Sequence, residues 1–192
     1  MFYKYPKGSL EVITGPMFAG KSAELIKRIT IWKIAEVKSI IFKPNFDNRF
    51  AESQIVSRTG SQINAISIKD SKDIWNYIDK DIEAVAFDEV QFFDFNVVNE
   101  IIKLLNKGIR VIVSGLDMDF EGKTFNVVAE LLALSDTVLK LKAVCMKCHG
   151  QANMSFRKIR SKERHLLGDD TYEARCRDCH RKGMKEQNKE AE

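Results

Sequence analysis

No apolar run in this chain reaches the roughly 18 to 20 residues that would cross a bilayer. The stretch from Met1 to Leu10 also lacks the charged and apolar regions of a secretory signal. Both absences predict a cytoplasmic protein with no membrane partner. A strong excess of one charge is missing too: 31 Lys and Arg stand against 27 Asp and Glu, leaving +4 over 192 residues. A nucleic-acid binder concentrates its basic residues in a patch or stripe. The densest basic stretch here, Arg157 to Arg164, suits a solvated loop as well as a phosphate-binding surface. No internal repeat is present. Cysteine is scarce, and all four lie in two C-x-x-C pairs. With 44% hydrophobic and 30% charged residues, the composition is that of a soluble globular protein.

What is present organises into three zones. From Ser9 to Lys142, short apolar runs alternate with segments of helical periodicity. Strands are expected at Leu10 to Ile13, Ser39 to Phe42 (stopped by Lys43-Pro44), Ala84 to Phe87, Ile109 to Val113 and Val138 to Leu141. Helices are expected at Ala19 to Glu36, around Ile74 and Ile78, at Val97 to Leu105 with Gly108 as its stop, and at Val127 to Leu134. This alternation implies βαβ units and a mainly parallel sheet flanked by helices, and with the pattern G-x-x-x-x-G-K-S at Gly15 to Ser22 it is expected to be of the P-loop (RecA-like) α/β class. Functional loops then belong at the C-terminal ends of the strands. Residues 1–142 form this expected ATP-binding domain. Residues 143–181, rich in Cys and Arg, form a small C-terminal domain that needs a source of stability other than a core. Residues 182–192 read as a disordered polar tail.

Gly15-Pro16-Met17-Phe18-Ala19-Gly20-Lys21-Ser22 matches G-x-x-x-x-G-K-[ST] in full, after a strand and before a helix. In that context the glycines let successive N–H groups turn toward phosphate oxygens, and the helix N-terminus adds its dipole. Lys21 is expected to reach the β- and γ-phosphates of ATP, and the Ser22 hydroxyl to ligate Mg²⁺. Downstream, the apolar strand Ala84 to Phe87 ends in Asp88-Glu89. Asp88 is placed to meet the same Mg²⁺. Glu89 faces the other way and is the candidate general base.

Cys145-Met146-Lys147-Cys148 and Cys176-Arg177-Asp178-Cys179 are two knuckles able to close a Cys₄ site around structural Zn²⁺. The 27 residues between them must form a structured excursion. His149 and His180 each follow a pair and are alternative ligands in principle, read here as bystanders. Such a module could grip nucleic acid, or anchor a loop that closes over a small molecule.

Taken together, residues 15–25, Asp88 to Phe93, Gly115 to Phe120, Ala143 to Cys148 and Tyr172 to Cys179 resemble the type II thymidine kinases. The resemblance runs from about Gly8 to Cys179 with the motifs in order. It implies transfer of the ATP γ-phosphoryl group to the 5′-hydroxyl of thymidine, with deoxyuridine as a further acceptor, in nucleotide salvage for DNA synthesis. It assigns Asp47 and Arg49, in Asp47-Asn48-Arg49, to the phosphates, with Arg49 stabilising the transferring group. Lys21 and Glu89 complete the catalytic set.

The same resemblance implies a thymine pocket of Met17, Phe92, Leu116, Phe120 and Phe125, with Ser155 supplying a hydroxyl near the base. It further implies a zinc-anchored lasso over about Ser161 to Tyr172, in which Gly168 and Tyr172 contact the nucleoside. The family's Gly-Gly pair is Leu167-Gly168 here, so the local loop path is expected to differ. A homotetramer and feedback inhibition by dTTP are also implied. The competing readings are an ATP-driven nucleic-acid-binding protein, with the zinc module on a strand, and a nucleotide switch without catalysis.

Overall fold

A computed structural model describes residues 7–45, 54–57, 60–159 and 169–189. The first half of the chain contains β1 (Leu10–Thr14), α1 (Lys21–Ile34), β2 (Ser39–Pro44), β3 (Gln54–Val56), β4 (Gln62–Asn64), β5 (Ile66–Ile68) and β6 (Ala84–Phe87). There follow α2 (Val97–Asn106), β7 (Arg110–Gly115), α3 (Asn126–Leu134) and β8 (Thr137–Lys140). The C-terminal part carries β9 (Ala143–Val144), β10 (Gln151–Ala152), β11 (Met154–Arg157), β12 (Tyr172–Arg175) and α4 (Arg177–Lys189). Six strands form one sheet in the order β5-β2-β6-β7-β1-β8, and every pairing in it is parallel.

The sheet's two faces follow from the period-2 alternation of its strands. Leu10, Val12, Phe42, Val85, Phe87, Val111 and Val113 pack with Ile101 and Leu104 of α2 and Val128 and Leu131 of α3. Ile13, Ile41, Ala84, Ala86 and Ile112 pack with Leu25, Ile26, Ile29 and Trp32 of α1. All four residues of β6 are buried, as expected for a strand covered on both faces. Gly108 ends α2 as expected: with φ +80° it lets Gly108 N–H reach Leu105 O at 2.8 Å and Ile109 N–H reach Leu104 O at 3.1 Å.

Several expectations change in detail. Ala19 and Gly20 belong to the loop before α1, which begins at Lys21. Lys43 and Pro44 continue β2 because β5, a strand with only three residues and little signal of its own, pairs beside them. The segment near Ile74 is a 3-10 turn over Ser71–Asn76. The expected tail from 182 is helical through Lys189. One face of α4 is held, since His180 and Gly183 are buried and Gln187 Nε2 donates to Arg157 O at 3.0 Å. Asp178 adds ion pairs to Arg181 and Lys182 on the exposed side.

Glu100 on α2 is a buried carboxylate in this packing, 1% exposed. It accepts from the Trp75 indole at 2.6 Å, the Asn96 amide at 2.9 Å and Lys103 Nζ at 3.0 Å. Burial alone would raise its pKa, but the Trp75, Lys103 and Asn96 donors outweigh it and hold the carboxyl below its ordinary value. A lowered folded-state pKa adds stability that is complete above the unfolded-state value and fades as pH falls through the folded one. Glu100→Ala should therefore lower unfolding free energy by about 1 kcal/mol at neutral pH, since it leaves the half-buried Trp75 and Asn96 donors without their acceptor. Urea unfolding of both proteins at neutral and acidic pH checks this, and the gap should narrow on acidification.

Candidate active site

The C-terminal ends of β6, β7 and β1 lie side by side, and the candidate groups sit on the loops that leave them. The loop from Gly15 to Gly20 alternates into the left-handed region at Gly15 (φ +142°), Phe18 (φ +68°) and Gly20 (φ +83°). A side chain at Gly15 would meet Leu141 O at 2.4 Å, so close backbone approach demands glycine there. Alternation of this kind turns main-chain N–H groups into one concavity. No side chain caps the N-terminus of α1, the helix end whose dipole favours an anion. Lys21 is buried at the same point and donates to Pro16 O at 3.0 Å. These are the features that a triphosphate cradle requires.

Asp88 is 5% exposed and accepts from Ser114 Oγ at 2.6 Å. Burial first, then the neighbouring Glu89 carboxylate, push its pKa up to about 6, against the pull of Ser114, the Glu89 main chain and Lys21. A carboxylate so placed is relieved by a cation, and Asp88 with the Ser22 hydroxyl offers the hard oxygen donors that suit Mg²⁺. Glu89 takes a left-handed conformation, φ +50° and ψ +43°, which is uncommon for a residue with a side chain. Its Oε2 accepts from Gln91 Nε2 at 2.5 Å, and Gln91 Oε1 accepts from Leu116 N–H at 2.9 Å. Because a main-chain N–H can only donate, Gln91 must turn its NH₂ group toward Glu89, whose oxygen accepts the bond. Gln91 is 6% exposed, and a side chain at Gly115 would lie 2.7 Å from its Oε1.

The expected pocket residues come together in groups. Phe92 and Phe125 meet edge to face with ring centroids 6.4 Å apart. Leu116 joins them through Gln91, the neighbour of Phe92. Ser155 on β11 accepts the Met17 N–H at 3.0 Å, which ties the C-terminal module to the phosphate-type loop. Phe120 lies under the Arg157 guanidinium, 3.4 Å from ring centroid to carbon. Arg157 in turn pairs across the β11–β12 ladder with Tyr172. This buries Arg157, which is therefore not the start of an exposed basic surface. Asp47, Arg49, Leu167, Gly168 and the lasso before residue 169 lie outside the described residues.

Four functional candidates went unassigned in the sequence. Gln91 and Asp117 lie inside quoted motifs, Asp117 pairing with Lys140 at 2.6 Å. Ser114 is a lone hydroxyl in an apolar strand and carries no sequence signal. His180, read as a bystander to the metal, lies outside the cysteine cluster, and its Nε2 instead lies 2.7 Å from Phe120 O.

The four cysteine sulfurs all lie within 4.8 Å of one another, and Cys148 and Cys176 Sγ are 3.8 Å apart. A tetrahedral ion with bonds of about 2.3 Å requires sulfur separations near ~3.8 Å. The cluster is thus a fit for a metal of the Zn²⁺ type. Its thiols are electrostatically unequal. Cys145 feels burial upward, but main-chain bonds involving Cys176, Cys148 and Lys147 lower it to about 6. Cys179 is pushed up to about 12, first by Cys176 and then by burial.

A family model for thymidine kinase matches residues 8–180. Thymidine kinase from Mycoplasma mobile is 51% identical over 187 residues, covering 95% of this chain and 92% of that protein. Its namesake from Mesomycoplasma hyopneumoniae is 46% identical over 182 residues, covering 94% and 99%. The chain belongs to the thymidine kinase family. The enzyme of that name from Metamycoplasma arthritidis is 44% identical over 188 residues, covering 97% of each chain. Among the described residues no helix is long and apolar enough to cross a membrane.

Metal loading of the cysteine cluster should be coupled to protons. Four crowded thiols cannot all ionise without a cation, and the thiol of Cys179 is pushed up by Cys176 and burial, so an ion must displace protons as it binds. Calorimetric titration of metal-free protein with Zn²⁺ in buffers of different ionisation enthalpy should show proton release, and affinity should fall as pH is lowered. A binding heat independent of the buffer would contradict this.

Proposed function

We propose that this chain is a Mg²⁺-dependent thymidine kinase that transfers the γ-phosphoryl group of ATP to the 5′-hydroxyl of thymidine, with deoxyuridine as a second acceptor. The observation that carries the reading is Glu89, a carboxylate held by Gln91 beside Asp88 and the Lys21 loop, in a chain of this family. Main-chain amides from Gly15 to Gly20 and the α1 N-terminus bind the phosphates. Lys21 leaves Pro16 O to meet the β- and γ-phosphate oxygens. Ser22 and Asp88 hold Mg²⁺, which when bound neutralises charge on the phosphates. Glu89 accepts the proton of the 5′-hydroxyl as its oxygen bonds to the γ-phosphorus. The bond from that phosphorus to the β,γ-bridging oxygen breaks, and ADP leaves with the electron pair. Arg49, with Asp47 near the phosphates, stabilises the charge that spreads over the transferring group.

Met17, Phe92, Leu116, Phe120, Phe125 and Ser155, with Gly168 and Tyr172 of the lasso, are assigned to the nucleoside. Zn²⁺ on Cys145, Cys148, Cys176 and Cys179 is assigned a structural role, since four sulfur ligands leave no open position. On this reading residues 1–142 carry the phosphate chemistry and 143–181 the nucleoside grip. We place the enzyme in the cytoplasm, as a homotetramer inhibited by dTTP. The exposed apolar side chains Ile31 and Ile34 on α1 and Val138 on edge strand β8 support self-association.

The deciding experiment is Mg²⁺-ATP-dependent phosphorylation of thymidine, deoxyuridine, deoxycytidine, deoxyguanosine and uridine. Thymidine should be the best acceptor, and deoxycytidine and deoxyguanosine poor ones. If no nucleoside reacts and DNA or RNA instead stimulates ATP hydrolysis, the proposal fails. Glu89→Gln should lower kcat by about 10²- to 10⁴-fold with ATP affinity kept. Near-normal turnover in that variant would remove Glu89 as the base. Sedimentation should return about four times the 22.0 kDa chain mass.

A further inference from the structure

Helix α4 presents one face to the rest of the protein, and each residue of that face meets a different partner. His180 Nε2 lies 2.7 Å from Phe120 O, and the carbonyl can only accept, so Nε2 carries the proton and donates. The imidazole is 5% exposed and stands edge to face against Phe156 at 5.7 Å and 87°. Three residues on, Gly183 leaves no space at all. A side chain there would come within 1.9 Å of Arg175 Nη1 and 2.8 Å of the Phe156 ring. Gln187 closes the row on Arg157 O at 3.0 Å. Arg157 itself covers the Phe120 ring. Phe120 is thus gripped twice by the C-terminal module: through its main chain by α4, and over its ring by β11.

Glycine inside a helix costs about 1 kcal/mol relative to alanine. At Gly183 that cost is offset by close approach of α4 to Phe156 and Arg175. The approach is what brings His180, one turn earlier, within reach of a loop 60 residues away in the chain. The cysteine cluster is complete without the histidine, as its four sulfurs already converge. His180 therefore has a separate job.

We propose that α4 is a strut that sets the nucleoside end of the site, with His180 as a positioning residue that acts on thymidine through Phe120 and leaves ATP untouched. The inference rests on the reading of Phe120 as part of the nucleoside pocket. Loss of the imidazole donor leaves the half-buried Phe120 carbonyl without that partner and removes one of the two grips on Phe120, the Arg157 contact remaining. The ATP loop, between β1 and α1, has no part in that contact.

The test compares KM for thymidine and for ATP in the full-length, metal-loaded enzyme. His180→Leu should raise the thymidine KM by about tenfold, the effect of one buried hydrogen bond lost, with the ATP KM within twofold. His180→Gln, which keeps an N–H donor of similar reach, should recover most of that loss. Gly183→Ala removes no polar group but displaces Arg175 Nη1, which donates to Cys179 O at 3.2 Å, and pushes α4 outward; it should show the same split. It serves as the deciding variant where His180→Leu does not fold, as judged by metal content and thermal unfolding. An unchanged thymidine KM in both His180→Leu and Gly183→Ala, or an equal rise in both KM values, overturns the strut. Phe120→Ala separates the two levels: a normal thymidine KM there removes the pocket reading itself, whereas a raised one beside silent His180 variants removes only the strut.

Discussion

Three adjacent parallel strands share one register, and the site depends on it. Thr14 of β1 lies opposite Gly115 of β7, while Phe87 of β6 lies opposite Val113, two residues earlier on the same strand. Parallel strands can be joined only by crossovers, so all three chains leave the sheet at the same end. The anion cradle after β1, the carboxylates after β6 and the Leu116 loop after β7 are thereby forced together. Ser114, in the last residues of β7, reaches across to Asp88 and fixes the carboxylate of β6 against its neighbour. Side-chain volume enforces the spacing, since Gly115 has room for nothing larger beside Val90 and Gln91.

A second constraint is electrostatic. Asp88 and Glu89 are successive carboxylates with one of them buried, an arrangement that disfavours full ionisation unless cations attend it. Lys21 supplies part of that compensation. Glu89, in a left-handed turn, accepts from the amide of Gln91, whereas Asp88 accepts from Ser114, so the two acids take separate partners. The cysteine cluster poses the same problem in sulfur: four thiols so close cannot all ionise alone, and their unequal pKa values express it. In both centres the crowding of acidic groups is of a kind that a cation would relieve.

Much of this was legible in the sequence because the signals are local. The apolar run Ala84 to Phe87, the glycine after α2 and the full phosphate-loop pattern each depend on a few consecutive residues, and each stands where expected. Short elements were not legible. Strands β3, β4 and β5 have three residues apiece, and β9 and β10 two, too few for any periodicity to register. Their existence depends on the strand beside them. The helical course of residues 182–189 was missed for a related reason: polar composition signals exposure, but a single glycine and two polar contacts hold this helix in place.

The sequence by itself determined the fold class, the order of the strands' chemical burdens, the phosphate loop, the acidic pair and the four-cysteine set, because each is encoded in residue type and spacing along the chain. Tertiary structure decided which distant groups serve them. Ser114 meets Asp88 across 26 residues, Gln91 meets Leu116 across 25, Ser155 meets Met17 across 138 and His180 meets Phe120 across 60. Such pairings carry no mark in the sequence, since a lone serine or histidine looks the same whether buried against a carbonyl or open to water. The neighbouring ends of β6 and β7 join Ser114 to Asp88 and Gln91 to Leu116, and only the packing of β11 and α4 onto the strand-end loops brings Ser155 to Met17 and His180 to Phe120.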